Sequence, residues 1–136
     1  MAQKFSTITQ TVMVKASPLE VYDALVDSKK HAEVTGSPAT ISARVGGKFS
    51  TWDGYIFGKN LELEPGKKIT QEWTTTEWPE GYPPSRLEIT LTRKTAGTEL
   101  KMVHSNVPAE QRDEYEGGWR SFYWDPLQTY FAKKHR

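Results

Sequence analysis

Apolar and polar residues alternate along much of the chain, beginning close to the N-terminus. Ile8, Val12 and Val14 fall on alternate positions among more polar residues, which predicts a half-buried strand. The same period of two returns in six later segments that are separated by turns containing glycine or proline: residues 40–43, 48–52, 55–63, 68–76, 87–92 and 100–106. Neighbouring strands joined by short turns predict an antiparallel sheet with one buried face.

Two short helices are predicted directly after the first strand. Ser17 is a favourable N-cap, Pro18 suits the first helical position, and Glu20 stands where a capping box needs its carboxylate. A helix is therefore expected from Pro18 to about Val26. Residues 29–34 are expected to add a second helical segment, in which His31 has polar neighbours.

Near the C-terminus the period changes to that of a helix. An aromatic-rich stripe predicts this helix over about residues 117–131: Trp119, Phe122, Tyr123, Leu127 and Tyr130. Gly117-Gly118 weakens the helix near its start, and Pro126 lacks the backbone donor that a continuous helix requires. We therefore expect the helix to be divided rather than straight.

The order of these elements predicts one domain of the α+β class, spanning residues 1–136. A curved antiparallel sheet of about six to seven strands is expected to wrap around the long C-terminal helix, with the two short helices following the first strand. The absence of cysteine excludes disulfides and thiolate metal sites. The sequence also has no signal-peptide pattern and no apolar run of membrane-spanning length, so a cytoplasmic location is expected.

The charge balance argues against a nucleic-acid partner. The chain has 18 basic and 17 acidic residues, a formal net charge of +1, and no basic cluster of the kind that binds phosphate backbones. Aromatic residues, by contrast, make up 12% of the chain. They either fill the core or line a pocket, and the pattern leaves both possibilities open.

Several aromatic and polar side chains are predicted to point into the space between sheet and helix. The predicted ligand-cavity residues combine apolar walls with a few polar groups: Tyr55, Phe57, Gln71, Trp73, His104, Asn106, Trp119, Tyr123 and Tyr130. A small hydrophobic molecule is the ligand class that such walls fit. The alternative is that these side chains meet and leave no cavity.

His104 is the candidate for catalysis, because it continues the apolar parity of its strand. A histidine on an inner sheet face is suited either to general-base chemistry or to a structural hydrogen bond in the core. No spacing gathers several histidines and carboxylates, so neither a metal site nor a cofactor is expected. A separate aromatic and proline-rich loop, with Trp78, Pro79, Tyr82 and Pro83, is a candidate partner-binding surface.

An ordered set of motifs carries a family resemblance: Val45-Gly46-Gly47-Lys48-Phe49, Trp52-Asp53-Gly54, Trp73, Trp78-Pro79-Glu80-Gly81 and Gly118-Trp119. With these motifs the chain resembles the C-terminal domain of the activators of the ninety-kilodalton heat-shock chaperone ATPase, within the START-like or helix-grip superfamily. The resemblance extends from about residue 7 to residue 131.

The resemblance implies a helix-grip fold and a non-enzymatic protein that acts by binding. Its implied partner is the heat-shock protein 90 chaperone or a small hydrophobic molecule held between sheet and helix. The alternative from another class is a cavity enzyme of polyketide cyclase or hydrolase type that uses His104. The eukaryotic activators also carry an N-terminal domain that does not fit within these 136 residues.

Overall fold

The computed structural model describes residues 3–134 and consists of one sheet and a set of helices. In chain order the elements are β1 (Phe5–Val14), α1 (Pro18–Val26), α2 (Ser28–Thr35), β2 (Thr40–Ile41), β3 (Lys48–Thr51), β4 (Ile56–Glu64), β5 (Lys68–Thr75), β6 (Ser85–Lys94), β7 (Gly97–Pro108), a 3₁₀ turn (Ala109–Gln111), α3 (Arg112–Trp119), a π-helical turn (Arg120–Trp124) and α4 (Asp125–Lys134). Within residues 3–134, no helix is long and apolar enough to cross a membrane.

All seven strands form a single antiparallel sheet in the order β1-β7-β6-β5-β4-β3-β2. Strand β1 lies at one edge of the sheet. The chain then crosses to the short β2 at the opposite edge and returns strand by strand to β7, which pairs with β1. The inner face of the sheet is apolar and packs on the helices through residues such as Ile69, Leu87, Ile89, Leu100 and Met102. The predicted α+β helix-grip architecture is confirmed.

The predicted start of α1 is confirmed in detail. Ser17 is the N-cap, and its Oγ accepts a hydrogen bond from the backbone N–H of Glu20 at 3.2 Å. The Glu20 carboxylate in turn accepts a hydrogen bond from the backbone N–H of Ser17 at 3.0 Å. This reciprocal capping box satisfies two backbone donors that the helix itself leaves without partners.

The turn between β3 and β4 has four residues, 52–55, although Asp53-Gly54 is a sequence typical of a two-residue hairpin. Three consecutive residues have positive φ, namely Trp52 at 53°, Asp53 at 55° and Gly54 at 90°. Strand β4 therefore starts at Ile56, which is buried, while Phe57 points outward and is 43% exposed. The prediction that Phe57 faces the helix is wrong. An extra residue, Leu61, interrupts the pairing of β4 with β5 between Asn60 and Glu62, so the parity of Leu63 does not continue back to Phe57.

Asn106 is also misplaced by the sequence pattern. Between Ile8 and Ser6, β7 carries one more residue than its partner β1, since Ile8 pairs with His104 and Ser6 pairs with Val107. This is a β-bulge, and Asn106 adopts a φ of 59° within it. The bulge turns Asn106 to solvent and Val107 inward, so the predicted cavity position of Asn106 is wrong.

The C-terminal helix is divided, as predicted, but at a different place. Gly117 and Gly118 lie inside α3, and the irregularity is the π-helical turn that ends just before Pro126. The buried positions recur every four residues, at Tyr115, Trp119, Tyr123, Leu127 and Phe131. A continuous α-helix would rotate such a row by about 40° at each step, and the extra residue of a π turn offsets a large part of this drift.

The π turn also decides which aromatic residues face the sheet. Trp124 is 1% exposed, whereas Phe122 is 55% exposed. Tyr130 is half-buried on the side of α2, where its hydroxyl donates to Glu33 Oε1 at 3.1 Å. The predicted inward position of Tyr130 is therefore wrong, because the sequence stripe assumed a uniform 3.6-residue period.

Candidate functional site: an aromatic cavity at one end of the sheet–helix interface

A cavity of about 280 Å³ lies between the β3–β4 turn and the C-terminal helix. The turn and β4 contribute Trp52, Tyr55 and Ile56, and Trp73 of β5 forms part of the wall. The rest of the wall comes from α3 and the π turn: Glu114, Tyr115, Gly118, Trp119, Phe122 and Tyr123. The cavity therefore lies where the π turn meets the irregular hairpin.

The wall is almost entirely aromatic, with seven aromatic residues among ten. Trp73 and Tyr115 meet edge to face, with ring centroids 5.2 Å apart and planes inclined by 84°. Trp52 and Phe122 meet in the same way at 5.3 Å and 72°. These inclined ring planes enclose a common space, and the exposure of Phe122 leaves that space open to solvent on one side.

Trp52 combines two unusual features. Its φ of 53° is rare for a bulky residue, and the indole Nε1–H of its half-buried side chain is shielded from solvent and has no hydrogen-bond partner among residues 3–134. The backbone strain costs about 1–2 kcal/mol, and a buried donor without an acceptor costs a further 1–3 kcal/mol or so. Backbone strain of this kind is concentrated at functional sites in proteins, which marks Trp52 as a candidate functional residue.

Two carboxylates lie beside the cavity. Glu114 is exposed and forms part of its wall, and Glu77 accepts a hydrogen bond from the Tyr55 hydroxyl at 2.6 Å. Burial, followed by the nearby carboxylates of Glu114 and Glu77, raises the pKa of Tyr115 and outweighs its hydrogen bond with Thr75. The tyrosine hydroxyls of the wall consequently stay protonated at neutral pH.

His104 lies behind the cavity, in a part of the interface that is closed. Its Nδ1 accepts the indole N–H of Trp119 at 3.1 Å, so the ring proton is on Nε2, which donates to Ser85 Oγ at 2.7 Å. Ser85 in turn donates to the carbonyl of Trp73 at 2.7 Å. Every polar group in this chain of hydrogen bonds has a partner.

These contacts give His104 a structural role. The residue is fully buried, and burial lowers its pKa to about 3, so the ring is neutral at physiological pH. Both ring nitrogens are occupied, which leaves neither free to take a proton from a molecule in the cavity. The geometry therefore gives no support to catalysis by His104.

His31 occupies a second buried network, which the sequence pattern did not reveal. Its Nδ1–H donates to the Leu25 carbonyl at 3.3 Å, and its Nε2 accepts the Tyr123 hydroxyl at 3.1 Å. Thr51 Oγ1 donates to the same hydroxyl at 3.1 Å. His31 is 5% exposed, and burial lowers its pKa to about 4 against the opposing effect of the Leu25 and Ala24 carbonyls.

The interface beneath the cavity contains little free space. A void of about 30 Å³ lies there among His31, Gln71, Trp119 and Tyr123, enough for about one or two water molecules. Gln71 is 8% exposed and donates from Nε2 to Asn60 Oδ1 at 2.9 Å. Gln71 is thus a buried structural residue, and the space beside it is too small for an organic molecule.

The structure brings together four of the predicted cavity residues on the wall of the cavity: Tyr55, Trp73, Trp119 and Tyr123. Sequence reasoning missed the role of Trp52 and Tyr115 in this wall and assigned Phe122 only to the helical stripe. Trp52 stands directly before the Asp53-Gly54 turn signal, and an aromatic residue at a hairpin turn was the available clue. The position of Phe122 depends on the π turn, for which the sequence offered only the nearby Pro126.

The predicted partner-binding loop folds back on α3 and on the start of β1 for part of its length. Trp78 stacks on Tyr115 with centroids 6.0 Å apart, and its Nε1–H donates to the Pro83 carbonyl at 3.0 Å. Tyr82 meets Phe5 edge to face at 5.5 Å. Pro83 is exposed and Pro79 is half-buried, so the loop presents mainly its proline side to solvent.

Comparison with known proteins places the chain among chaperone-activator homologues. Human activator of 90 kDa heat shock protein ATPase homolog 1 is 31% identical over 126 residues, which are 93% of this chain and 36% of the human protein. The Dictyostelium discoideum homolog is 31% identical over 131 residues, which are 91% of this chain and 33% of that protein. The chain thus spans about a third of the length of the curated relatives it matches.

A solved structure shows the same fold over nearly the whole length of both chains. The crystal structure of an Hsp90 activator from Plasmodium falciparum superposes with a TM-score of 0.81 at 24% identity, covering 94% of this chain and 96% of that one. The sequence profile described as activator of Hsp90 ATPase homolog 1-like protein matches residues 15–132. Because this match spans most of the chain, the protein belongs to the family of activator of Hsp90 ATPase homolog 1-like proteins.

Proposed function

We propose that this domain acts by binding rather than by catalysis, and that its partner is the 90 kDa heat-shock chaperone of its own cell. The match to the activator family over residues 15–132 is the observation that supports this partner. The occupied nitrogens of His104 support the absence of catalysis at that residue. A chaperone partner also implies a cytoplasmic location for the domain.

The test is the ATPase rate of that chaperone with and without the domain, together with titration calorimetry of the pair. We expect a complex, with the ATPase rate either raised or unchanged, because the chain covers only about a third of the relatives named as activators. No heat of binding and no change in rate would contradict the proposal.

The proline side of the loop around Trp78 and Tyr82 is the surface to test first. Pro83→Asp places a charge on an exposed position of this loop, and Val45→Asp does the same at a residue that is 63% exposed elsewhere. If the loop contacts the chaperone, Pro83→Asp weakens the complex and Val45→Asp does not. Equal affinity of the two variants and the original chain would move the interface away from the loop.

A second proposed function is the binding of a small apolar molecule in the cavity. The observation that favours it is the size of about 280 Å³ together with the aromatic wall, since small-molecule sites are mostly apolar clefts of comparable size. The neutral dye N-phenyl-1-naphthylamine is a suitable probe, because its fluorescence rises in apolar surroundings. We expect saturable binding that Phe122→Ala weakens, and non-saturable fluorescence would contradict the site.

A further inference from the structure

We propose that the cavity selects an organic cation, namely a quaternary ammonium group carried on a small apolar molecule. This inference rests on the ligand-binding function proposed above and adds the charge and chemical class of the ligand. It is carried by three properties of the wall: its aromatic faces, the sign of its charges and the engagement of its hydroxyl groups.

The aromatic rings supply the first property. The face of an aromatic ring is the negative end of its quadrupole, so rings arranged around a common space attract a cation placed between them. Trp73 and Tyr115 stand nearly perpendicular to each other, as do Trp52 and Phe122, so several ring planes border the cavity from different sides. Tryptophan, the most effective of the aromatic residues in this interaction, contributes three of the seven rings.

The charges supply the second property. Within the part of the chain that the structure describes, the charged side chain on the cavity wall is that of Glu114, and Glu77 lies behind Tyr55. The basic residue of α3 is Arg112, and its guanidinium is paired with Glu116 at 3.0 Å and with Asp113 at 3.3 Å. The carboxylates at the cavity therefore favour a cation and disfavour an anion.

The hydroxyl groups supply the third property and define the type of cation. Tyr55 donates to Glu77, Tyr115 bonds Thr75 and Gln111, and Tyr123 bonds Thr51 and His31. Apart from the Glu114 carboxylate, the described wall thus offers few free acceptors, and a primary ammonium ion placed between the rings would replace only part of its hydrogen bonds to water. A quaternary ammonium ion carries charge and has no N–H, so it loses no donor hydrogen bond on entering.

Three compounds of the same shape test the charge preference: choline, the neutral 3,3-dimethyl-1-butanol and the anionic 3,3-dimethylbutanoate. Each is titrated into the full chain, with tryptophan fluorescence and displacement of N-phenyl-1-naphthylamine as readouts. We expect choline to bind about tenfold more tightly than the alcohol, because a desolvated cation–π contact contributes about this factor, and the anion to bind least.

Two matched variants locate the charge effect. Glu114→Gln keeps the shape of the wall and removes its carboxylate, and we expect it to weaken choline binding about threefold and to leave the alcohol unaffected. Glu64→Gln is the control, because Glu64 is exposed and lies eight residues beyond Ile56 on the same strand, about 26 Å away. It should change neither affinity.

The outcomes separate this inference from the function on which it rests. Binding of the dye together with equal affinity for all three compounds would leave the apolar cavity in place and overturn the cation preference. Failure of the dye and of choline to bind would overturn both. If a trimethyl-lysine peptide binds more tightly than choline, the ligand is a methylated protein side chain. That outcome would overturn the assignment to a free small molecule.

Discussion

The two ends of the sheet–helix interface use the same kinds of side chain for opposite purposes. At the closed end, Trp119 and His104 are buried and every polar atom of their network has a partner. At the open end, Phe122 is 55% exposed and Trp52 has strained backbone geometry. The indole N–H of Trp52 has no acceptor within the part of the chain that the structure describes. Satisfied polar groups and dense packing mark the end that stabilises the fold, and their absence marks the end that is available to a ligand.

Trp119→Ala should have the largest effect, because Trp119 forms the boundary between the two ends. We expect a loss of about 3–5 kcal/mol in the free energy of unfolding, since the substitution leaves a large cavity and deprives His104 Nδ1 of its donor. Urea denaturation measures this loss. Trp119→Phe is the control, because it retains most of the packing and should cost clearly less. A loss below about 1 kcal/mol for Trp119→Ala would mean that the closed end is not tightly packed.

Acidification should weaken the closed end. An unfolded histidine has a pKa of about 6.5, whereas the folded values of about 3 for His104 and about 4 for His31 keep both rings neutral. The unfolded chain therefore takes up protons first, and stability that is fully present above pH 6.5 falls as the pH decreases towards 4. From pH 7.5 to 5.5 we expect a loss of about 2–3 kcal/mol, measured by urea denaturation at each pH.

The variants His31→Gln and His104→Gln assign this pH dependence. Each should remove about half of it, whatever its effect on stability at neutral pH. A pH dependence that persists unchanged in both variants would show that the buried histidines are not its source.

Tyr123→Phe tests the network that joins the helix to α2 and β3. The substitution removes the hydroxyl that His31 Nε2 and Thr51 Oγ1 share, and we expect a loss of about 1–2 kcal/mol. Tyr130→Phe is the matched control, because its hydroxyl meets Glu33 at the surface and should matter by less than about 0.5 kcal/mol. Equal losses for the two variants would contradict the contrast.

Phe122→Ala should have the smallest effect on stability and a clear effect on ligand binding. More than half of the ring is exposed, so we expect the free energy of unfolding to change by less than about 1 kcal/mol. The affinity for N-phenyl-1-naphthylamine should nevertheless fall several-fold, because the ring forms one side of the cavity. A large loss of stability would indicate that Phe122 belongs to the core.

The sequence predicted the architecture well because its signals there are local. The capping box at Ser17 and the strand pattern of residues 68–76 depend on neighbouring residues. The capping box is confirmed, and Ile69 and Trp73 of that strand are buried. The number and order of the strands follow from turn signals of the same kind. Those features place four aromatic residues on the cavity wall.

The errors arose where one residue changes the phase of a pattern. The extra residue Leu61 in β4 reversed the orientation of Phe57, and the bulge at Asn106 turned that side chain outward. The π turn exchanged Phe122 for Trp124 on the buried side of the helix. Strict periods of 2 and 3.6 cannot anticipate such insertions, and one of these three irregularities, the π turn, borders the cavity.

The π turn has a consequence for how single-codon insertions and deletions act on this protein. A π turn accommodates one residue more than the α-helical turn it replaces, while α3 and α4 on either side keep their own packing. Deleting one residue between Arg120 and Phe122 would let the segment close as an ordinary helical turn. Without this adjustment, the deletion would rotate Leu127 and Phe131 by about 100° around the helix axis. A change of chain length in this segment therefore also changes the shape of the cavity.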